Sequence, residues 1–283
     1  MRILITGGAG YFGRGFVKTL LDRNLASKIC IYSRGEFAQA TMRHELKDDG
    51  RLRWFIGDVR DQDRLERAMH EVDVVVHGAA LKRTEVCAYN VMECIATNVI
   101  GTQNVAKACI DAGVKKAVLL NSDKSVLATT TYGLSKAIAE RIFLNATAYS
   151  GAEGTKFCSC VYGNIGGSTG SVIPLWKKQL ETSDTVTVTD PEATRFWMLR
   201  HQAADLVLNA IQSMQGGEVF IPDLPAFRVG DLAEAMGAKM NVIGMAPNEK
   251  LHEEMRPGET SDMARRMSID ELRKQLQCLE SLD

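Results

Sequence analysis

The sequence predicts an α/β protein whose parallel sheet carries helices on both faces. Short apolar runs rich in β-branched residues recur at 2–6, 28–32, 52–56, 72–77 and 116–120. Each is followed by a stretch with helical spacing, and alternating strands and helices build parallel sheets. The runs are continuous rather than alternating, as expected where both sheet faces are covered.

The bulk numbers fit an ordinary folded chain. Of the 283 residues, 45% are hydrophobic and 24% charged, and the net charge is −1 from 34 Lys and Arg against 35 Asp and Glu. Such a balance gathers neither nucleic acid nor anionic lipid, so both partners are disfavoured. The seven cysteines include only one close pair, Cys158 and Cys160, and no C-x-x-C, so they read as reduced core residues with no metal site. No apolar run approaches membrane-spanning length and no signal-peptide pattern precedes the first strand, which makes a cytoplasmic location the expectation. The sequon at Asn145 falls inside an expected helix and carries no weight.

The first strand runs into Thr6-Gly-Gly-Ala-Gly-Tyr-Phe-Gly13, which opens a helix. Gly7 suits the tight turn, Gly10 a close approach by a diphosphate, and Gly13 close helix packing, while the helix N-terminus offers free N–H groups and a positive dipole end. This is the context a dinucleotide fingerprint requires, and with the strand pattern it defines a doubly wound Rossmann sheet. The second strand ends at Ser33-Arg34-Gly35-Glu36. Arg34 stands where an acidic residue would select NAD, and a guanidinium there suits the 2′-phosphate of NADP. Asp58 and Val59, after the third strand, are placed to reach the adenine. The segment 129–149 reads as a long helix and 156–161 as the next strand. Beyond it the pattern loosens into short strands (186–189, 218–221) and helices (202–214, 229–236), ending in a polar amphipathic helix at 268–282 suited to a surface or oligomer contact. The expected division is a cofactor domain over 1–163 and a smaller mixed α/β substrate-binding region over 164–283, with some elements returning to the main sheet.

Tyr132 and Lys136 lie one turn apart on one helix face. A neighbouring ammonium favours the phenolate, and Tyr132 then serves as the base that takes a hydroxyl proton while hydride leaves for a nicotinamide.

With these residues in place, the chain resembles the extended short-chain dehydrogenase/reductase family, and within it the inverting UDP-N-acetylglucosamine 4,6-dehydratases. The likeness rests on Gly-Asp-Val-Arg-Asp at 57–61, Ala-Ala-Leu-Lys at 79–82, Thr-Asn-Val-Ile-Gly at 97–101, Ser-Asp-Lys at 122–124, Tyr-Gly-Leu-Ser-Lys at 132–136, Tyr-Gly-Asn at 162–164, Thr-Arg-Phe-Trp at 194–197 and Glu-Lys-Leu-His-Glu at 249–253. It implies oxidation of the sugar at C4, removal of the acidified C5 proton by Lys124, protonation of the departing C6 hydroxyl by Asp123, and return of hydride to C6 with C5 inverted. A lysine base needs a lowered pKa and an aspartic acid a raised one. Adjacent strand-end residues point in different directions, so the two would address different atoms. The resemblance further implies cofactor contacts from Tyr11, Phe12, Ser33, Gly35, Glu36, Ala79, Ala80 and Lys82. It implies substrate contacts from Lys82, Asn164 and Arg195, and assembly into homo-oligomers.

Val161, Thr169 and Ala246 stand where the family tends to show arginine, which leaves the nucleotide sugar less specified than the reaction class. Arg256 is a candidate replacement. Two alternatives remain open at this stage: a nucleotide-sugar 4-epimerase, which has no use for Lys124, and a non-catalytic NADP-binding module.

Overall fold

The computed structural model describes residues 1–280. The first half alternates strand and helix without a break: β1 (Arg2–Thr6), α1 (Tyr11–Asp22), β2 (Lys28–Ser33), α2 (Glu36–Glu45), β3 (Leu52–Ile56), α3 (Gln62–Ala68) and β4 (Val74–His77). After β4 come α4 (Thr84–Tyr89), α5 (Val91–Cys94), a π-helical turn (Ile95–Ile100) and α6 (Gly101–Asp111). Then follow β5 (Lys116–Ser122), a 3-10 turn (Asp123–Ser125), the long α7 (Thr131–Ser150) and β6 (Lys156–Tyr162).

The fourth strand begins later than its apolar run because Asp73 turns back to accept the Arg2 backbone N–H at 2.8 Å. Helix α7 starts at Thr131 because the Thr130 hydroxyl caps the Gly133 N–H at 3.1 Å.

The second half is less regular. It comprises β7 (Asn164–Ile165), α8 (Val172–Leu180), β8 (Thr185–Val188), β9 (Thr194–Met198), α9 (Arg200–Ser213), β10 (Val219–Phe220), β11 (Ala226–Arg228), α10 (Val229–Ala235), β12 (Lys239–Val242), β13 (Glu254–Arg256), β14 (Glu259–Thr260) and α11 (Ile269–Glu280).

Seven strands form one parallel sheet in the order β10-β6-β5-β4-β1-β2-β3. The order reverses between β1 and β4, the switch point at which such sheets open a crevice beyond the carboxyl ends of their strands. Side chains alternate across the sheet: Ile3 and Ile5 pack with Phe16 and Leu20 of α1 and Val207 of α9, while Leu4 packs with Leu65 of α3, Val105 of α6 and Phe143 of α7. Helix α9 and strand β10 belong to the second half of the chain yet complete this layer.

The other strands form three small sheets, β11-β9-β7, β12-β8 and β13-β14. They enclose a separate core around Trp176, Trp197, Phe227 and Leu232. Helix α11 buries Leu272 and Leu279 in that core and leaves its polar side exposed. Ser268 and Glu271 cap it reciprocally, at 3.2 and 2.8 Å. Positions 281 and 282, the end of the expected helix, lie outside the described residues. Six of the seven cysteines are buried, and Cys278 is exposed.

Candidate active site

A cleft of about 840 Å³ opens over the carboxyl ends of β1, β4, β5 and β6. Gly7, Gly10, Tyr11, Phe12 and Gly13 line it on one side, Ser33, Arg34, Gly35, Asp58 and Val59 at one end, and Ala79, Ala80, Lys82, Ser122, Lys124, Tyr132, Lys136 and Asn164 along the rest. Glu36, Asp123 and Arg195 are not part of this lining.

The loop after β1 fits a dinucleotide. Gly7 has φ +70°, and a Cβ there would lie 3.0 Å from the Gly78 and Ala79 backbone. The cap residue Gly10 has no side chain to satisfy the first turn of α1, so its N–H groups face the cleft. Tyr11 donates its hydroxyl to the Gly166 carbonyl at 2.7 Å, fastening the glycine-rich loop after β7 across the mouth. Phe12 stacks toward Tyr162, with centroids 6.5 Å apart. At the far end Arg34 is 55% exposed and only 3.8 Å from Asp58, whose carboxylate is held by Arg60 at 2.8 Å. A guanidinium so loosely engaged is free to meet an anion.

The chemistry-bearing groups gather where β5 gives way to α7. Their approach depends on Gly133, where a Cβ would strike the Lys124 carbonyl. Tyr132 is buried, and its phenol is pushed up to about 12: burial raises it, and the Lys124 charge and a hydrogen bond from Ser122 only partly oppose this. The expected lowering by Lys136 is absent. Lys136 is itself buried, donates to the Leu120 carbonyl at 2.7 Å, and is pushed down to about 8 by burial.

Lys124 also departs from expectation. Burial disfavours its ammonium, but Asp123 at 3.3 Å and Glu253 at 3.1 Å outweigh this and raise its pKa. Asp123 and Lys124 do not diverge, because the 3-10 turn curls the chain and breaks the strand alternation, bringing the two side chains together. Asp123 is 0% exposed behind Ser122, whose hydroxyl lies 2.8 Å from Oδ1. Burial, and secondarily Glu253, raise its carboxyl.

Arg195 turns away from the cleft toward Glu249 at 3.2 Å and Glu253 at 3.9 Å. Lys82 stays on the wall, its pKa lowered by burial and then by Arg83.

Three functional positions went unassigned in the sequence reading. Ser122 touches both Tyr132 and Asp123. Asn98, in the π-helical turn, accepts from the Leu81 N–H at 2.8 Å and donates to Ser135 at 2.9 Å, fixing the loop that carries Lys82. Glu253 holds Lys124. All three lie within motifs that were quoted, but a motif match does not state which side chains converge.

A family model described as polysaccharide biosynthesis protein matches residues 3–273. The inverting UDP-N-acetylglucosamine 4,6-dehydratase of Campylobacter jejuni is 43% identical over 256 residues, covering 89% of this chain and 76% of that one. A UDP-glucose 4-epimerase of Rickettsia prowazekii is 38% identical over 272 residues, covering 93% and 79%. The solved structure of DesIV, a dTDP-glucose 4,6-dehydratase from Streptomyces venezuelae with NAD and TYD bound, superimposes with TM-score 0.85 at 21% identity, covering 99% and 97%, and shares the fold. With a switch-point cleft, a glycine-rich loop and a Tyr132–Lys136 pair, this chain belongs to the polysaccharide biosynthesis protein family, on the extended short-chain dehydrogenase/reductase scaffold.

Proposed function

We propose that the protein is a nucleotide-sugar 4,6-dehydratase acting on UDP-N-acetylglucosamine with inversion at C5. The observation that carries the reading is the cluster of Lys124, Asp123 and Tyr132 around Ser122, beside a cleft suited to a nicotinamide dinucleotide. An epimerase needs only the tyrosine and the cofactor; a lysine and a carboxyl held 3.3 Å apart at the same cleft are suited to elimination.

The bound dinucleotide supplies reversible hydride acceptance from sugar C4. Tyr132, in the phenolate form that the Ser122 hydroxyl and the Lys124 charge favour against burial, takes the C4 hydroxyl proton and becomes the phenol. The amine of Lys124 takes the C5 proton, made acidic by the neighbouring ketone. Asp123, its carboxyl raised by burial, is the group that protonates the departing C6 hydroxyl through Ser122. Lys82 and Asn164 contact the sugar and cofactor, and Arg195 the diphosphate once freed from its carboxylate partners. Residues 1–163 hold the cofactor and 164–283 the substrate.

NADP is the proposed cofactor, on the position and loose engagement of Arg34. Arg34→Ala should weaken NADP binding about 10- to 100-fold while leaving NAD unchanged, the value of a charged hydrogen bond. Retained NADP preference overturns that role. We further propose a cytoplasmic homo-oligomer. Tyr89, Met92, Leu134 and Ile138 are exposed apolar residues on α4, α5 and α7, which pack against one another. Among the described residues no helix is long and apolar enough to cross a membrane.

Incubation with UDP-N-acetylglucosamine tests the reading: the product loses one water with no net consumption of NADP. A 4-epimer of unchanged mass contradicts it.

A further inference from the structure

Groups from three elements besides its own turn close around the Lys124 ammonium. Asp123 lies beside it at 3.3 Å, Tyr132 comes from α7, Glu253 precedes β13 at 3.1 Å, and Arg195 of β9 stands behind, its Nε 3.9 Å from Glu253. Glu253 is only 4% exposed, and its Oε2 accepts no hydrogen bond. A buried carboxylate oxygen without a partner is costly, so the favourable contacts of this residue are those its other oxygen makes. Arg195 is engaged by Glu249 at 3.2 Å, and Lys250 donates elsewhere, to the Val126 carbonyl at 2.6 Å, which leaves Lys124 as the principal partner of Glu253.

The contact is built in. The Glu253 N–H donates to Ser261 Oγ at 3.0 Å, and that hydroxyl donates to the Thr194 carbonyl at 3.1 Å. Thr129 donates to the Asn248 carbonyl at 2.7 Å, so bonds from Val126 and Thr129 both fasten the 248–253 segment beside the turn that carries the lysine.

We propose that Glu253 is a positioning residue for the elimination step: it aims Lys124 along the cleft wall and keeps it an ammonium until the amine is needed at sugar C5. The inference rests on the dehydratase reading. The proton that leaves Nζ does so before the C5 proton is taken, so C5 exchange should rise with pH toward the titration of the lysine. Two carboxylates and one neighbouring guanidinium set that titration, and neutralising one carboxylate lowers it.

The test follows solvent deuterium entering C5 across pH 6 to 10 in wild type, Glu253→Gln and Glu253→Asp, each checked for folding by NADP binding. The expected result is that the rising limb moves about one pH unit or more downward in Glu253→Gln, stays in place in Glu253→Asp, and leaves KM unchanged. An unmoved limb in Glu253→Gln overturns the proposal, as does an equal loss at every pH in both variants, which marks a merely structural role. Should Glu253→Gln not fold, the wild-type Lys124 Nζ resonance, assigned by its absence in Lys124→Ala, decides the matter. Titration above an exposed lysine supports the proposal, and titration at or below it overturns it. Absence of C5 exchange in wild type is a separate result, and refutes the dehydratase reading instead.

Discussion

Two neighbouring regions of the cleft wall each hold a lysine, one buried and one half-buried, and the two come out opposite. Lys136, inside α7, meets a single backbone carbonyl at 2.7 Å and sits near 8 because burial penalises its charge. Lys124, on the turn after β5, meets two carboxylates and is raised despite burial. Burial lowers a lysine, and counter-ions decide whether the result survives. The first lysine therefore titrates close to working pH, and the second is a stored ammonium that must be discharged before it acts as a base.

The largest expected effects break this comparison at its two ends. Lys124→Ala should cut dehydration about 100- to 10,000-fold while C4 oxidation, seen as transient NADPH, persists. Lys136→Met should cut both by a similar factor if, as the family resemblance implies, it serves the C4 oxidation that precedes elimination. Water loss that continues undiminished in Lys124→Ala removes the lysine from the mechanism.

The spacing between the two regions is the next target. Gly133→Ala drives a methyl into the Lys124 carbonyl and should cost about 1–3 kcal/mol of stability in urea unfolding. It should also impair C5 exchange more than C4 oxidation, since it displaces the turn that carries Lys124. Equal effects on both steps would show that the turn is not what the glycine protects.

A third buried cation-former sharpens the rule at smaller scale. His77 joins Thr6 at 2.6 Å and Thr102 at 3.0 Å with no counter-ion, and burial lowers it to about 3 from an ordinary 6.5. Between those values the unfolded chain holds the extra proton. Stability is therefore full above pH 6.5 and falls as pH drops toward 3, by about 1.4 kcal/mol per unit from this group. His77→Gln should flatten that slope, read by denaturation at pH 4.5 and 6.5.

How much of this was legible in the sequence depended on whether the signal was local. The strands of the large sheet, the loop from Gly7 to Gly13 and the Tyr132–Lys136 pair are patterns within one or two elements, and their geometry follows from helix and strand periodicity. Strands such as β7 and β14 have two residues each and carry no periodicity, so of the small sheets only β8 was read, at 186–189. Glu253 lay in a quoted motif but far along the chain from Lys124, and only folding brings them together. The protonation of Lys124 was misread in part for the same reason: against burial, its pKa is raised first by neighbouring Asp123 and then by Glu253 from the other half of the molecule. Asp123 was assigned by the family resemblance and set apart from Lys124 by strand alternation, which the 3-10 turn interrupts.

The account rests on Lys124 working at C5 of a sugar oxidised at C4 by the same cleft. NMR of the product formed from UDP-N-acetylglucosamine in deuterated water tests this most directly. The account predicts a 4-keto-6-deoxy sugar carrying one solvent deuterium at an inverted C5, and none from Lys124→Ala. A product that retains its original hydrogen at C5, or labelling that persists without the lysine, contradicts it.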